Sequence, residues 1–167
     1  GWDDSILLER KSLTSGSTWH AAGLLPLFNM SYSVGQIHKY SVRFYQELQD
    51  ETGMDVGFRK VSNIRLASTQ DRMDEYLQYK GVADTIGVEV NVLSPQEIKD
   101  CWPLVSTENL IGAIQHPEDG YIQPADLTQA FAKGARDKGA KIEINTNVIS
   151  LSLIHISEPR DWMVSRM

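Results

Sequence analysis

The sequence predicts an α/β or mixed α+β fold, and three observations carry that prediction. A short apolar run ending in an acid, "SILLE" (Ser5 to Glu9), suits a strand buried on both faces of a parallel sheet. Segments with helical spacing of apolar residues alternate with extended, β-rich ones along the chain. The strands are parallel-like near both ends and antiparallel-like in the middle, where short strands follow one another closely.

Each element has its own signal. From Val34 to roughly Glu51, Val34, Ile37, Phe44, Tyr45 and Leu48 fall at helical spacing, and Thr52-Gly53 supplies the stop. "VGFRK" and "SNIRLAS" read as two strands, with Ile64 and Leu66 on one face. A helix starts near Ser68 or Thr69, with Met73, Tyr76, Leu77 and Ala83 as its buried stripe and Gly87 as its end. "VEVNVL" is a strand. Ser94-Pro95-Gln96-Glu97 forms a capping box with proline at the first helical position, opening a short helix that stops before Trp102-Pro103. "LIGAIQHP" is strand-like and runs into a turn, "EDGYIQP". Pro124 opens a last helix with Leu127, Ala130, Phe131 and Ala135 inward, ended by Gly139. "AKIEINTNVISL" then alternates Ile142, Ile144 and Val148 as a strand.

Composition narrows the partners. The chain has 167 residues, 41% hydrophobic and 23% charged, enough for a sizeable core. A net charge of -6 without basic blocks argues against nucleic-acid or anionic-membrane binding. No apolar run is long enough for a membrane span. A single cysteine, Cys101, excludes an internal disulfide framework, and no His/Cys/carboxylate set has metal spacing.

The stretch "LLERKSLTSGSTWHAAGLL" (Leu7 to Leu25) carries the chemistry. An acid ending the second parallel strand of a dinucleotide-binding fold accepts hydrogen bonds from the ribose hydroxyls. Glu9 stands in that place, although a solvated strand end gives the same pattern. Thr14, Ser15, Ser17 and Thr18 offer hydroxyls, and Gly16 and Gly23 let backbone approach a ligand closely. A Ser/Thr-rich turn capping a helix has the same composition. His20, beside Trp19, reads either as a half-buried packing residue or as a functional imidazole.

These residues resemble a family. "LLERKSLTSGSTWHAAGLL" is similar to the segment after the glycine fingerprint in dimethylglycine and sarcosine dehydrogenases, FAD-dependent enzymes of the D-amino-acid-oxidase-like superfamily. "ETGMDVGFRKVSNIRLAS", "RMDEY", "VLSPQEIKDCWPL" and "HPEDGYIQPADLTQAFAKGARDKGAKI" are similar to the same family in the same order, over roughly residues 5 to 150. The resemblance implies an incomplete pair of domains: a Rossmann-like FAD-binding part at 1–30 and 124–151, its first strand and phosphate loop expected before Gly1, and an antiparallel-sheet substrate part at 31–123. Residues 152–167 fit neither; "LSLIHISEP" reads as foreign sequence joined near Leu151.

By the same resemblance Glu9 is the ribose acid, and Arg10, Ser15, Gly16, Ser17 and Thr18 wrap the adenosine and pyrophosphate side of FAD. His20 is the covalent tether to the flavin 8α-methyl carbon. Ala21, Ala22, Gly23 and Leu24 lie against the isoalloxazine, and Val148 gives a backbone contact to adenine. The implied reaction is oxidative demethylation of a small N-methyl amino acid, with electron-transfer flavoprotein or oxygen as acceptor and tetrahydrofolate bound by a further C-terminal domain. The compartment would be bacterial cytoplasm or mitochondrial matrix. His116 and Tyr121 are the nearby candidates for proton transfer, and Arg59, Lys60 or Arg65 for a cation facing a substrate carboxylate. Relatives of these enzymes also include a non-catalytic regulatory subunit of pyruvate dehydrogenase phosphatase with the same fold; another FAD-dependent amine oxidase or dehydrogenase is a further alternative. The retained His20 favours an enzyme over the regulatory reading.

Overall fold

The structure, a computed structural model, describes residues 4–150. The segment expected to be foreign lies outside them. Strand β1 (Ile6–Leu8) pairs in parallel with β8 (Lys141–Glu143), Leu7 opposite Ile142. The pairing continues past the strand end, where the Glu9 amide donates to Glu143 O at 2.8 Å and the Thr146 amide to Glu9 O at 2.9 Å. Parallel geometry was expected here, and burial on both faces was too. The second expectation fails: Ile6, Leu7 and Leu8 are 57, 48 and 44% exposed, because β8 is the only strand paired with β1 among the described residues.

Two small antiparallel sheets fill the middle. In the first, β7 (Gly120–Tyr121) lies between β2 (Leu24–Leu25) and β3 (Arg59–Lys60). In the second, β6 (Gly112–His116) lies between β4 (Asn63–Ala67) and β5 (Asn91–Leu93). "VEVNVL" therefore yields a strand only over its second half, while Val88 and Val90 pack into the core as extended chain.

Helix α1 (Tyr32–Thr52) ends at Gly53 in the left-handed conformation that glycine adopts without a Cβ clash. Its inward stripe is rotated from the one expected. Gly35, Val42, Tyr45, Leu48 and Thr52 face α2 or α4, and Val34 and Ile37 are 37 and 62% exposed. The pivot is Gly35, where a Cβ would meet Ile86 Cδ1 at 2.4 Å: α2 approaches so closely that only glycine fits.

Helix α2 (Gln70–Ile86) is capped by the Thr69 hydroxyl, which accepts from the Arg72 amide. It buries Met73, Tyr76, Tyr79, Ala83 and Ile86, while Leu77 is 47% exposed. Helix α3 (Pro95–Cys101) has the full capping box: Ser94 Oγ accepts from the Glu97 amide at 3.3 Å, and Glu97 Oε2 accepts from the Ser94 amide at 2.7 Å. Helix α4 (Pro124–Asp137) buries Ala130, Ala132 and Gly134. Phe131, expected inside, is 41% exposed and stacks on Phe44 of α1.

The second sheet is covered on both faces. Ala67 and Ile114 pack on the α2 residues, and Ile64, Leu93 and Ala113 pack on Ile98 of α3. Leu66 shares the Ile64 face but is 40% exposed. A third cluster, Leu48, Val56, Ile122 and Ala130, joins the β2–β7–β3 sheet to α1 and α4.

Candidate functional site

The loop from Glu9 to Leu25 begins at the carboxyl end of β1, the end at which ligands sit in open α/β sheets. Glu9 is half-buried, and its Oε1 accepts from the Lys11 amide at 2.8 Å, which holds the carboxylate at the strand end. Arg10 is exposed. Thr14 has φ +72°, a left-handed conformation that is strained for a β-branched residue. Ser17–His20 forms a single 3-10 turn whose N-cap is Gly16, and no side chain caps it. The Ser15, Ser17 and Thr18 hydroxyls are thus not used as helix caps, which was the competing reading of this composition.

His20 ends the turn, exposed, with its ring edge-on to Trp19 at a centroid distance of 6.0 Å. Trp19 is itself 75% exposed. Ala21 and Ala22 are exposed extended residues, and Gly23 has φ +73°. A Cβ on Gly23 would meet Ile122 O at 2.2 Å, so glycine lets the loop turn directly into β2. A cavity of about 480 Å³ lies against this run, lined by Thr18, Ala21 to Leu25, Ile122 and the α4 residues Pro124, Leu127 and Thr128. The small side chains lining this cavity, with the uncommitted hydroxyls and exposed imidazole of the adjoining loop, are chemically suited to the ring end of a flavin. Val148 is exposed and follows β8 in irregular chain, so the expected strand stops short of it.

The two proton-transfer candidates are drawn apart. Tyr121 stands on the outer face of β7, 42% exposed. His116 is fully buried, its Nε2 3.1 Å from the Tyr79 hydroxyl, and burial followed by the Arg65 charge pushes its pKa down to about 4. A neutral imidazole closed off from the surface does not reach a substrate, which removes His116 from the catalytic candidates. The Tyr79 hydroxyl donates to Leu27 O at 3.2 Å, so His116 Nε2 carries the hydrogen in this pair and Nδ1 is the acceptor.

Two residues at this junction, Asp119 and Tyr79, were not singled out by the sequence, and they meet Arg65, which was. Asp119, 2% exposed, accepts the Leu27 amide on Oδ1 at 2.9 Å. Its backbone carbonyl accepts the Val61 and Ser62 amides at 3.2 and 2.8 Å. Tyr79 is buried beside it, and burial together with the Asp119 charge pushes its hydroxyl up to about 12. Arg65 stacks its guanidinium 4.1 Å over the Phe28 ring. An Asp-Gly pair between strands reads as an ordinary exposed turn; the only hint was the unusual His-Pro-Glu-Asp-Gly run.

The sequence profile of the FAD-dependent oxidoreductase (DAO) family matches residues 1–164. The chain belongs to that family. It is 38% identical over 151 residues to the mitochondrial dimethylglycine dehydrogenase of Rattus norvegicus, covering 90% of this chain and 18% of the relative. It is 36% identical over 152 residues to the mitochondrial sarcosine dehydrogenase of Homo sapiens, covering 90% and 17%. L-proline dehydrogenase from P. horikoshii has the same fold, with a TM-score of 0.83 at 23% identity over 91% of this chain and 40% of that one. The chain thus spans under a fifth of the length of these two curated relatives. No helix among the described residues is long and apolar enough to cross a membrane.

Proposed function

We propose that the chain supplies the flavin-facing loop and part of the substrate wall of an enzyme that oxidatively demethylates a small N-methyl amino acid. The observation that carries this reading is the run Trp19-His20-Ala21-Ala22-Gly23: an exposed imidazole at the end of a turn, followed by small residues and a left-handed glycine. The names of the dimethylglycine and sarcosine dehydrogenase relatives support the substrate class.

When bound, FAD supplies the two-electron acceptor that oxidation next to nitrogen requires. Glu9 accepts hydrogen bonds from the ribose hydroxyls, and Arg10, Ser15, Gly16, Ser17 and Thr18 hold the diphosphate side by charge, hydroxyl and amide contacts. His20 tethers the flavin covalently through a ring nitrogen. Ala21, Ala22, Gly23 and Leu24 give the ring system a flat, small-residue wall, and the Val148 backbone lies by the adenine. Tyr121, on the exposed face next to Leu24, is the remaining candidate for handling the amine proton. Electron-transfer flavoprotein or oxygen takes the electrons, and tetrahydrofolate belongs to a further domain of the longer protein. Mitochondrial matrix or bacterial cytoplasm is the matching compartment.

The test is acid precipitation of the longer protein that contains this chain, followed by denaturing electrophoresis. A fluorescent band that His20→Ala abolishes is the expected result. Flavin released to the supernatant from the unaltered protein refutes the tether.

A further inference from the structure

We infer that Asp119 is a positioning residue for the flavin-facing loop: together with Tyr79 it holds the Leu27 backbone and so sets where the His20–Gly23 run stands. This rests on the flavin-enzyme reading above. The loop has little of its own to fix it. Between Ser12 and Ala22 the backbone hydrogen bonds among the described residues are local, the Ser15 amide donating to Ser12 O at 3.2 Å and the Ala21 amide to Thr18 O at 3.1 Å. Its place is therefore set at its two ends.

The first end is tied to the chain after β8, where the Thr146 amide donates to Glu9 O and the Asn145 amide to Lys11 O, both at 2.9 Å. The second end is held by β7 over Gly23 to Leu25, with the Ile122 amide donating to Gly23 O at 2.8 Å. That ladder then breaks, because Pro26 has no N–H to extend it. Asp119, directly before Gly120 of β7, takes over with its side chain. Its Oδ1 accepts the Leu27 amide at 2.9 Å, and from the other side the Tyr79 hydroxyl donates to Leu27 O at 3.2 Å. Both backbone groups of Leu27 are thus taken by side chains, one from the β6–β7 turn and one from α2.

Both holders are themselves fixed. Tyr79 is fully buried, lies 4.2 Å from the Phe28 ring between centroids and accepts from His116 Nε2 at 3.1 Å. Asp119 is 2% exposed, and its carbonyl accepts the Val61 and Ser62 amides. Its Oδ2 has no hydrogen-bond partner among the described residues. A buried carboxyl is costly to keep, and the Leu27 amide is the single bond its side chain makes among the described residues. The hold on Leu27 is what this acid does. Released, the chain is free to fray back toward Gly23, where the His20–Ala22 run leaves the sheet.

Hydrogen–deuterium exchange on the longer flavin-loaded protein tests this, with flavin content and visible circular dichroism measured on every sample. Asp119→Ala should speed exchange across residues 12–27 by roughly 10- to 100-fold, the size of a lost buried hydrogen bond, and weaken the circular dichroism of the flavin band. Exchange in α3 should change less than about twofold, since the opening is local. Ile98→Ala is the comparison, because Ile98 is fully buried on the face of the β4–β6–β5 sheet away from Tyr79. It should loosen α3 and leave the loop and the flavin signal as they were. Asp119→Asn, which keeps an acceptor for the Leu27 amide, should restore most of the protection. Tyr79→Phe frees the other side of Leu27 and should also loosen the loop, so it carries the comparison if Asp119→Ala does not fold. Loop exchange at the unaltered rate in Asp119→Ala and Tyr79→Phe, or a loop loosened as much by Ile98→Ala, overturns the inference. Absence of flavin from the unaltered protein instead overturns the reading beneath it, and the exchange rates alone then decide whether Asp119 holds the loop.

Discussion

The Asp119 carboxylate accepts the Leu27 backbone amide at 2.9 Å across 92 residues of chain. It thereby fastens the segment that leaves β2 to the turn between β6 and β7, and its carbonyl binds the chain entering β4. One buried acid joins the β2–β7–β3 sheet to the β4–β6–β5 sheet. Asp119→Ala should destabilise the chain by about 1–3 kcal/mol, the usual effect of leaving a buried amide unpaired. Asp119→Asn, which keeps an acceptor, should lose less in the same chemical-denaturation measurement.

The same acid and His116 should hide each other's pH dependence. Burial pushes Asp119 up to about 6, against the opposing pull of the Leu27 amide, Arg65 and His38, and pushes His116 down to about 4. A raised acid contributes stability at low pH that is lost as pH rises toward 6. A lowered histidine contributes stability above pH 6.5 that is lost as pH falls toward 4. Between about pH 4 and 6 the folded chain therefore holds a proton on Asp119 and none on His116, and the unfolded chain does the reverse. The proton counts match, so these two groups together give a nearly flat profile. Asp119→Asn should uncover a stability that climbs with pH across this window, and His116→Gln one that declines. Parallel urea titrations at pH 4, 5, 6 and 7 read both slopes, and identical profiles for the two variants would contradict the account.

Gly23→Ala should separate β2 from β7. The substitution meets Ile122 O at 2.2 Å and imposes a left-handed conformation on alanine. Strain of this kind amounts to about 1–3 kcal/mol, before the steric overlap is counted. Gly53→Ala is the comparison, since its φ of +67° carries the same backbone strain while a Cβ there meets nothing within 4 Å. Thermal melting should show the larger drop for the first, the excess reporting the overlap with Ile122 O.

What the sequence made legible was local. Ser94-Pro95-Gln96-Glu97 states its own hydrogen bonds, and Gly53 and Gly87 state where α1 and α2 must stop. Residues whose environment comes from distant chain were harder. Ile6 to Leu8 have the composition of a two-sided buried strand, but composition cannot say how many neighbours a strand has. Gly35 hid the pivot of α1, because a missing side chain leaves no hydrophobic signal while allowing the tightest helix contact. In the candidate site, the order of the loop residues was readable. The hold of Asp119 and Tyr79 on Leu27 was not, since it depends on contacts between segments far apart in sequence.

Helix α2 gives the sharpest contrast between pattern and packing. Leu77 belongs to the apolar count of the helix yet is 47% exposed, whereas Tyr79 is fully buried although its hydroxyl is polar. The tyrosine is tolerated inside because the hydroxyl donates to Leu27 O and accepts from His116 Nε2. Tyr79→Phe keeps the ring against Phe28, 4.2 Å away between centroids, and strands both partners. It should destabilise the chain by about 1–3 kcal/mol, while Leu77→Ala, on the solvent side, should change stability by within about 0.5 kcal/mol. Loss of the hydroxyl should also shift the His116 ring resonances in an NMR titration, because its only hydrogen-bond partner among the described residues is gone. If Leu77→Ala proves the more damaging of the two, the inward face assigned to α2 is wrong.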